Sequence, residues 1–326
     1  MTRAIEVEHL TKTYRVSKKA AGFRASLKAL FSRETIDVNA VVDLSFGIEA
    51  GERVGFLGPN GAGKTTTLKM LSGLPTPTGG QVKVLGLDPR GRPHALLRQI
   101  TLVMGQKQQL MWDLPPIETM ELNRAVYDLD RTAYKTTLDQ LTTMLGLSEV
   151  LEKPTRQLSL GERMKCELAA ALLHQPRVLF LYEPTIGLDV TMQATVRRFI
   201  KEYNETTGAT ILLTSHDMDD VTALCPRVIV IDKGRLRHDG DLAALIAQTS
   251  PDKRIAVTLA KPVEDAVLAA LGPLRWTRVS PMIVSVLAAP ADLPATMRTL
   301  LDGLPISDLR VEDPPLEDVM QQVFGR

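Results

Sequence analysis

The chain of 326 residues has only 2 cysteines, Cys166 and Cys225, and they form no CxxC pattern. That excludes a disulfide framework and a cysteine metal or redox centre, and leaves two buried thiols as the expectation. Net charge is +1, so no bulk positive field calls for nucleic acid. No apolar run approaches the ~18 residues that a spanning helix needs. The first residues, MTRAIEVEHL, hold no apolar leader core. The expected location is the cytoplasm, with any membrane role exerted through a partner. What is present is 44% hydrophobic residues, enough for one large domain or a large one and a small one.

Short apolar strands at 5–14, 41–49, 53–57, 178–181 and 210–214 alternate with helices at 64–73, 138–145, 162–174 and 191–203. Gly79-Gly80 opens a hairpin-like region. The alternation predicts an α/β fold with a parallel sheet flanked by helices. Beyond Gly240 the pattern changes. Strands at 255–259, 276–279, 282–287 and 306–311 and helices at 263–271, 293–301 and 316–324 spell βαββαβ, a small ferredoxin-like unit. The expected domains are 1–248 and 253–326, with the linker near 248–252.

Gly58-Pro59-Asn60-Gly61-Ala62-Gly63-Lys64-Thr65 matches GxxxxGK[ST] between a predicted strand and a predicted helix. Glycines let successive backbone N–H groups turn inward toward phosphate oxygens. The helix N-terminus adds positive potential. Lys64 can reach the β- and γ-phosphates, and Thr65 offers a hydroxyl to magnesium. Thr66 follows in the same turn. ATP and Mg2+ are the implied ligands.

With these motifs in place, the sequence resembles the nucleotide-binding subunit of an ATP-binding cassette transporter, over roughly residues 5–245. The resemblance implies a P-loop NTPase cassette with a RecA-like parallel core, an antiparallel β subdomain and a helical subdomain. Leu158-Ser159-Leu160-Gly161-Glu162 stands where the family has LSGGQ. By that resemblance Ser159 and Gly161, with Glu162, face ATP held by a second subunit. Ser159 with Glu162 also makes a capping box for the helix that follows, and the two roles are compatible. Glu183 matches the glutamate that polarises the attacking water. His216, in LLTSHD, resembles the switch histidine at the γ-phosphate, and Asp189 resembles the loop that signals across the dimer. Gln106 resembles the glutamine that contacts magnesium and the transmembrane partner, with Gln108 and Gln109 close by. Tyr14 is the aromatic expected to stack on adenine, or else a surface strand tyrosine.

Three residues depart from the family: Leu160 for the first glycine and Glu162 for the glutamine of LSGGQ, both tolerable because Ser159 and Gly161 make the key contacts, and Tyr182. In FLYEP, Tyr182 stands where the family has the metal-side aspartate. A phenol carries no charge near neutral pH, and magnesium prefers charged oxygen in octahedral geometry. Three readings are open: reduced turnover, ATP binding with little hydrolysis, or a substitution in an otherwise ordinary chain.

Lys12 to Arg33 holds no acidic residue. Within a basic insertion at about 17–37, Phe23, Leu27, Leu30 and Phe31 recur with helical spacing, and Lys18, Lys19, Arg24, Lys28 and Arg33 surround them. Residues 19–33 are expected to meet an anionic membrane surface, dock on the permease, or pack on the cassette's own sheet. Trp112 is expected either at the permease interface or in the core. The resemblance implies an ATPase that drives a separate permease, an exporter, as a homodimer or heterodimer, peripheral to the cytoplasmic face of the cell (inner) membrane. The alternatives are a nucleotide-gated regulatory cassette and a soluble cassette acting on nucleic acid or the ribosome. One cassette rather than two, no zinc pattern and no net basic charge oppose the last, and no nucleic-acid partner is expected.

Overall fold

The computed structural model describes residues 3–17, 35–105 and 108–325. The chain divides into two units, Met1–Gly240 and Asp241–Arg326.

In the first unit, strand β1 (Arg3–Ser17) pairs antiparallel with β2 (Thr35–Glu49) on one side. On its other side it pairs with β4 (Gly79–Val84). Ile5, Val7 and Leu10 from β1 and Leu44, Phe46 and Ile48 from β2 are buried on one face, as alternation requires. Pairing with β4 stops at Thr11. Beyond that point β1 and β2 continue as a two-stranded ribbon to the pair Ser17↔Thr35. The expected strands at 5–14 and 41–49 are therefore too short. The expected insertion at about 17–37 overlaps residues that are strand: Ser17 and 35–37. Residues 18–34, with the expected amphipathic segment, lie outside the described residues.

The remaining elements build the core. They are β3 (Arg53–Leu57), α1 (Lys64–Leu71), α2 (His94–Leu97), β5 (Ile100–Met104), α3 (Pro116–Val126), α4 (Arg131–Leu145), α5 (Leu160–Leu172), β6 (Val178–Tyr182), α6 (Val190–Thr207), β7 (Thr210–Thr214), α7 (Met218–Leu224), β8 (Arg227–Asp232) and β9 (Arg235–Asp241). The sheet order is β5-β6-β7-β3-β8-β9. The pairs β5/β6, β6/β7, β7/β3 and β3/β8 are parallel. Continuous apolar runs such as Val178–Leu181 fit strands buried on both faces, and those four residues are buried. Helices α3 and α4 both pack on α5, forming a helical layer. Strands β5, β8 and β9 escaped the sequence reading, although the apolar run 228–231 between Pro226 and Gly234 carries a strand signal. Cys166 and Cys225 are free and buried, and burial pushes both thiols up to about 12.

The second unit holds α8 (Leu242–Thr249), β10 (Lys253–Leu259), α9 (Asp265–Ala270), β11 (Arg275–Ser280), β12 (Ile283–Ala288), α10 (Leu293–Gly303), β13 (Ile306–Glu312) and α11 (Leu316–Val323). Its antiparallel sheet has the order β11-β12-β10-β13, the ferredoxin-like arrangement. Ile255, Val257, Leu268, Val284, Val286 and Leu300 form its core. The boundary differs from the expected linker at 248–252. Leu242 and Leu245 of α8 are buried and α8 packs on α11, so this helix belongs to the second unit. Four of its arginines are each paired with a carboxylate: Arg254 with Glu312, Arg275 with Asp252, Arg278 with Asp265, Arg310 with Asp308.

Candidate functional site

Strands β6, β7 and β3 are neighbours and parallel, so the loops that leave their carboxyl ends converge. Those loops carry Glu183, His216 and Gly58–Lys64. The phosphate-loop motif thus comes beside the two candidate catalytic residues through strand order alone.

The loop after β3 depends on its glycines. Gly63 has φ +106°, and a Cβ there would lie 2.4 Å from the Ala40 carbonyl oxygen. A Cβ on Gly58 would lie 2.2 Å from the Ile231 carbonyl oxygen. Only glycine fits either position. Asn60 and Gly61 are exposed, Ala62 is buried, and Pro59, Thr65 and Thr66 are half-buried. Helix α1 has no acidic residue in its first turn, so its positive end is uncompensated. Lys64 is buried, and its Nζ donates to the carbonyls of Gly58 and Pro59. Burial holds its ammonium below the ordinary lysine value, while the charge of Glu183 acts the other way.

Glu183 is 4% exposed and sits at φ +51°, a strained conformation for a residue with a side chain. Its N–H donates to the Thr214 carbonyl at 2.9 Å. Its Oε2 accepts from the His216 N–H at 2.9 Å, and Oε1 lies 3.5 Å from His216 Nε2. Oε1 is buried without a hydrogen-bond partner, an arrangement that suits a metal-bound water or an attacking water. A Cβ on Gly105 would fall 2.0 Å from the Glu183 carbonyl oxygen, which reserves that position for glycine. The His216 side chain is half exposed.

Tyr182, one residue earlier, is half-buried. It packs against a core cluster that includes Phe180, Ala62 of the phosphate loop and Leu68 of α1. Among the described residues no group of three or more His, Cys, Asp and Glu side chains is poised to hold a metal. Gln106 and Lys107 lie outside the described residues.

Ser159 caps α5. Its Oγ accepts from the Glu162 N–H at 3.2 Å, and Glu162 Oε2 accepts from the Ser159 N–H at 2.8 Å. The capping box expected from sequence is formed. The backbone N–H and hydroxyl of Ser159 hold Glu162 below the usual carboxylate range. Ser159 and Leu160 are exposed and Gly161 is buried, and within this chain the polar groups of Ser159 and Glu162 bond each other. Asp189 caps α6 by accepting from the Met192 N–H at 2.9 Å. Tyr14 lies on the exposed β1/β2 ribbon, 37% exposed, with Lys12 Nζ 5.0 Å from its ring centre. Trp112 is 47% exposed beneath the Arg163 guanidinium, which removes the core alternative.

Residues 41–186 match the family model described as ABC transporter, and 251–312 match the model for the EvrA-like ABC transporter C-terminal domain. The chain is similar to the ABC transporter ATP-binding protein NatA of Bacillus subtilis (strain 168). Identity is 36% over 208 residues, 64% of this chain and 84% of that one. This chain belongs to the ABC transporter ATP-binding proteins. It is also 30% identical over 311 residues to the linearmycin resistance ATP-binding protein LnrL of the same organism, covering 92% of this chain and 97% of that one. The fold is that of a solved dimeric ATP-binding cassette in a post-hydrolysis state with ADP and Pi. The TM-score is 0.59 and identity 24%, over 73% of this chain and 98% of that one. The cassette is thus an ATP-binding subunit with ATPase chemistry that couples nucleotide to an ABC transporter. Such subunits act with transmembrane permeases and pair as cassettes. Among the described residues no helix of the cassette is long and apolar enough to cross a membrane.

Sequence reasoning missed two buried carboxylates. Glu167 on α5 accepts from the N–H groups of Gln109 at 2.9 Å and Leu110 at 3.2 Å, tying the exit of the glutamine loop to the helix that Ser159 caps. Burial raises its pKa, and these backbone bonds oppose the shift. Its signal was an acid inside the apolar run of α5. Asp220 on α7 is fully buried, and the acidic cluster after His216 was its signal.

Proposed function

We propose that this cassette binds Mg2+·ATP at Gly58–Thr66, with Glu183 as the base that polarises water and His216 at the γ-phosphate. The observation that carries the reading is the contact of Glu183 with His216 beside Lys64, with Glu183 Oε1 buried and unpartnered. Thr65 and Gln106 are the candidate metal-side groups. The phosphates must supply most of the remaining oxygen ligands, because Tyr182 brings no carboxylate. Metal retention is therefore weakened and turnover is slow relative to an aspartate-bearing cassette. Tyr14 offers an exposed ring for adenine.

Ser159, Gly161, Glu162 and Asp189 face the nucleotide of a second cassette, identical or different, in a head-to-tail pair. The cassette serves a separate permease as an exporter at the cytoplasmic face of the membrane. Similarity at 31% identity to a Nod factor export ATP-binding protein, over 90% of this chain and 92% of that one, supports export. The exposed Trp112 suits a permease contact. Residues 19–33 add a peripheral membrane contact.

The test is equilibrium binding and hydrolysis of ATP by the purified chain with and without magnesium, beside Glu183→Gln. Binding with slow, magnesium-dependent turnover that Glu183→Gln abolishes is the expected result. Absence of ATP binding with magnesium present refutes the reading.

A further inference from the structure

Behind the site, four segments close on one carboxylate. Asp220 is 0% exposed. Its Oδ2 accepts from the Ser215 hydroxyl at 2.7 Å and from the Thr185 hydroxyl. Its Oδ1 accepts from Arg197 Nε of α6 at 2.5 Å. Arg197 also donates to Asp217 Oδ2 at 3.0 Å, and the Asp217 N–H returns to Ser215 Oγ at 3.1 Å. Thr185 and Ser215 are themselves buried. The donors and acceptors of this ring are satisfied, which is the condition for a buried polar network to fix one geometry.

The places these residues occupy in the chain give the ring a consequence. Thr185 stands two residues after Glu183, and Ser215 stands directly before His216. Glu183 keeps its left-handed backbone through two turn and loop bonds, its N–H to the Thr214 carbonyl at 2.9 Å and its carbonyl from the Ile186 N–H at 3.3 Å, with no helix or strand around it. The loops that present Glu183 and His216 therefore share an anchor at Asp220, and Arg197 extends it to the helix that Asp189 caps. We infer that Asp220 is a positioning residue for the γ-phosphate end of the site, holding the Glu183 carboxylate against His216. This inference rests on the roles given to Glu183 and His216 above.

A γ-phosphate distinguishes ATP from ADP, so the expected defect is selective. The measurement is equilibrium affinity of the full chain for ATP and for ADP, with magnesium, for Asp220→Asn and Ser215→Ala beside the native chain. ATP affinity should fall about tenfold in each, within the range for residues sharing one network, while ADP affinity stays within about twofold. The double variant should be no worse than the worse single one, because both break the same ring. If Asp220→Asn does not fold, Ser215→Ala and Thr185→Val carry the same comparison. An unchanged ATP-to-ADP ratio, or an equal loss of both, overturns the positioning role. His216→Ala separates the two levels, because a residue at the γ-phosphate must change that ratio, whereas a base such as Glu183 need change only turnover. If His216→Ala also leaves the ratio unchanged, the role of His216 fails as well. If it changes the ratio and the ring variants do not, only the inference about Asp220 fails.

Discussion

Replacing Tyr182 with aspartate separates two contributions that the native residue sets against each other. The tyrosine ring is half-buried on the core cluster beneath α1. A fully buried tyrosine covers roughly 200 Å2, so about half of that is at stake here. At about 25 cal/mol per Å2, its loss destabilises the ligand-free chain by roughly 2–3 kcal/mol. That corresponds to a fall of about 5–10 °C in the melting temperature of a domain this size. The aspartate restores a carboxylate beside Glu183, where it can orient the metal or its water. Groups of that kind are worth about 10–100-fold in metal affinity. With Mg2+·ATP saturating, tighter binding returns roughly 1.4–2.7 kcal/mol, so much of the stability loss is recovered. Two assays decide the matter. Thermal melts with and without Mg2+·ATP should show a larger ligand-induced shift in Tyr182→Asp than in the native chain. Magnesium titration of ATP hydrolysis should show half-saturation moving down by at least about tenfold and turnover rising. Equal magnesium dependence in the two proteins would refute the assignment of this position to the metal. An unchanged ligand-free melt would refute the packing argument.

Three further outcomes are expected. Gly63→Ala should abolish ATP binding and cost about 3 kcal/mol or more, since its Cβ meets the Ala40 carbonyl as well as the left-handed backbone penalty. Gly61→Ala, with open space around it, should cost only about 1–2 kcal/mol, and equal melting temperatures for the two variants would contradict this. The raised pKa of Glu167 means the folded state holds that proton more tightly than the unfolded chain. Its stabilisation is complete below the ordinary glutamate value and is lost as pH rises through the raised value. Urea midpoints should therefore favour the native chain over Glu167→Gln more at pH 5 than at pH 7, and a pH-independent difference would remove the argument. Deleting residues 19–33 should release the cassette from anionic vesicles at low salt, and unchanged sedimentation would dismiss the membrane contact.

Much of the fold was legible because its signals are local. The eight residues from Gly58 to Thr65 fix a loop conformation by themselves, since a Cβ at Gly58 or Gly63 strikes backbone. Ser159 and Glu162 specify a helix start by reaching each other across three residues. The order βαββαβ and its antiparallel sheet follow from alternation and turn spacing in the second unit. The ribbon length of β1 and β2 was not legible, because its outer half buries nothing that marks strand. Helix α8 read as part of the cassette because its partner, α11, lies far along the chain.

The sequence by itself determined that a GxxxxGK[ST] loop opens a helix at Lys64, that Ser159 and Glu162 cap a second helix, and that a tyrosine, Tyr182, precedes Glu183. Tertiary structure decided their meeting. Strand β3 is inserted between β7 and β8, and that non-local pairing carries the phosphate loop to Glu183 and His216. It also decided that Asp220, an ordinary acid on a short helix, is buried under Thr185, Arg197 and Ser215. The physical reason is range. Backbone conformation and capping act over a few residues, whereas burial of the Asp220 charge depends on partners up to thirty-five positions away, and only the folded chain brings those together.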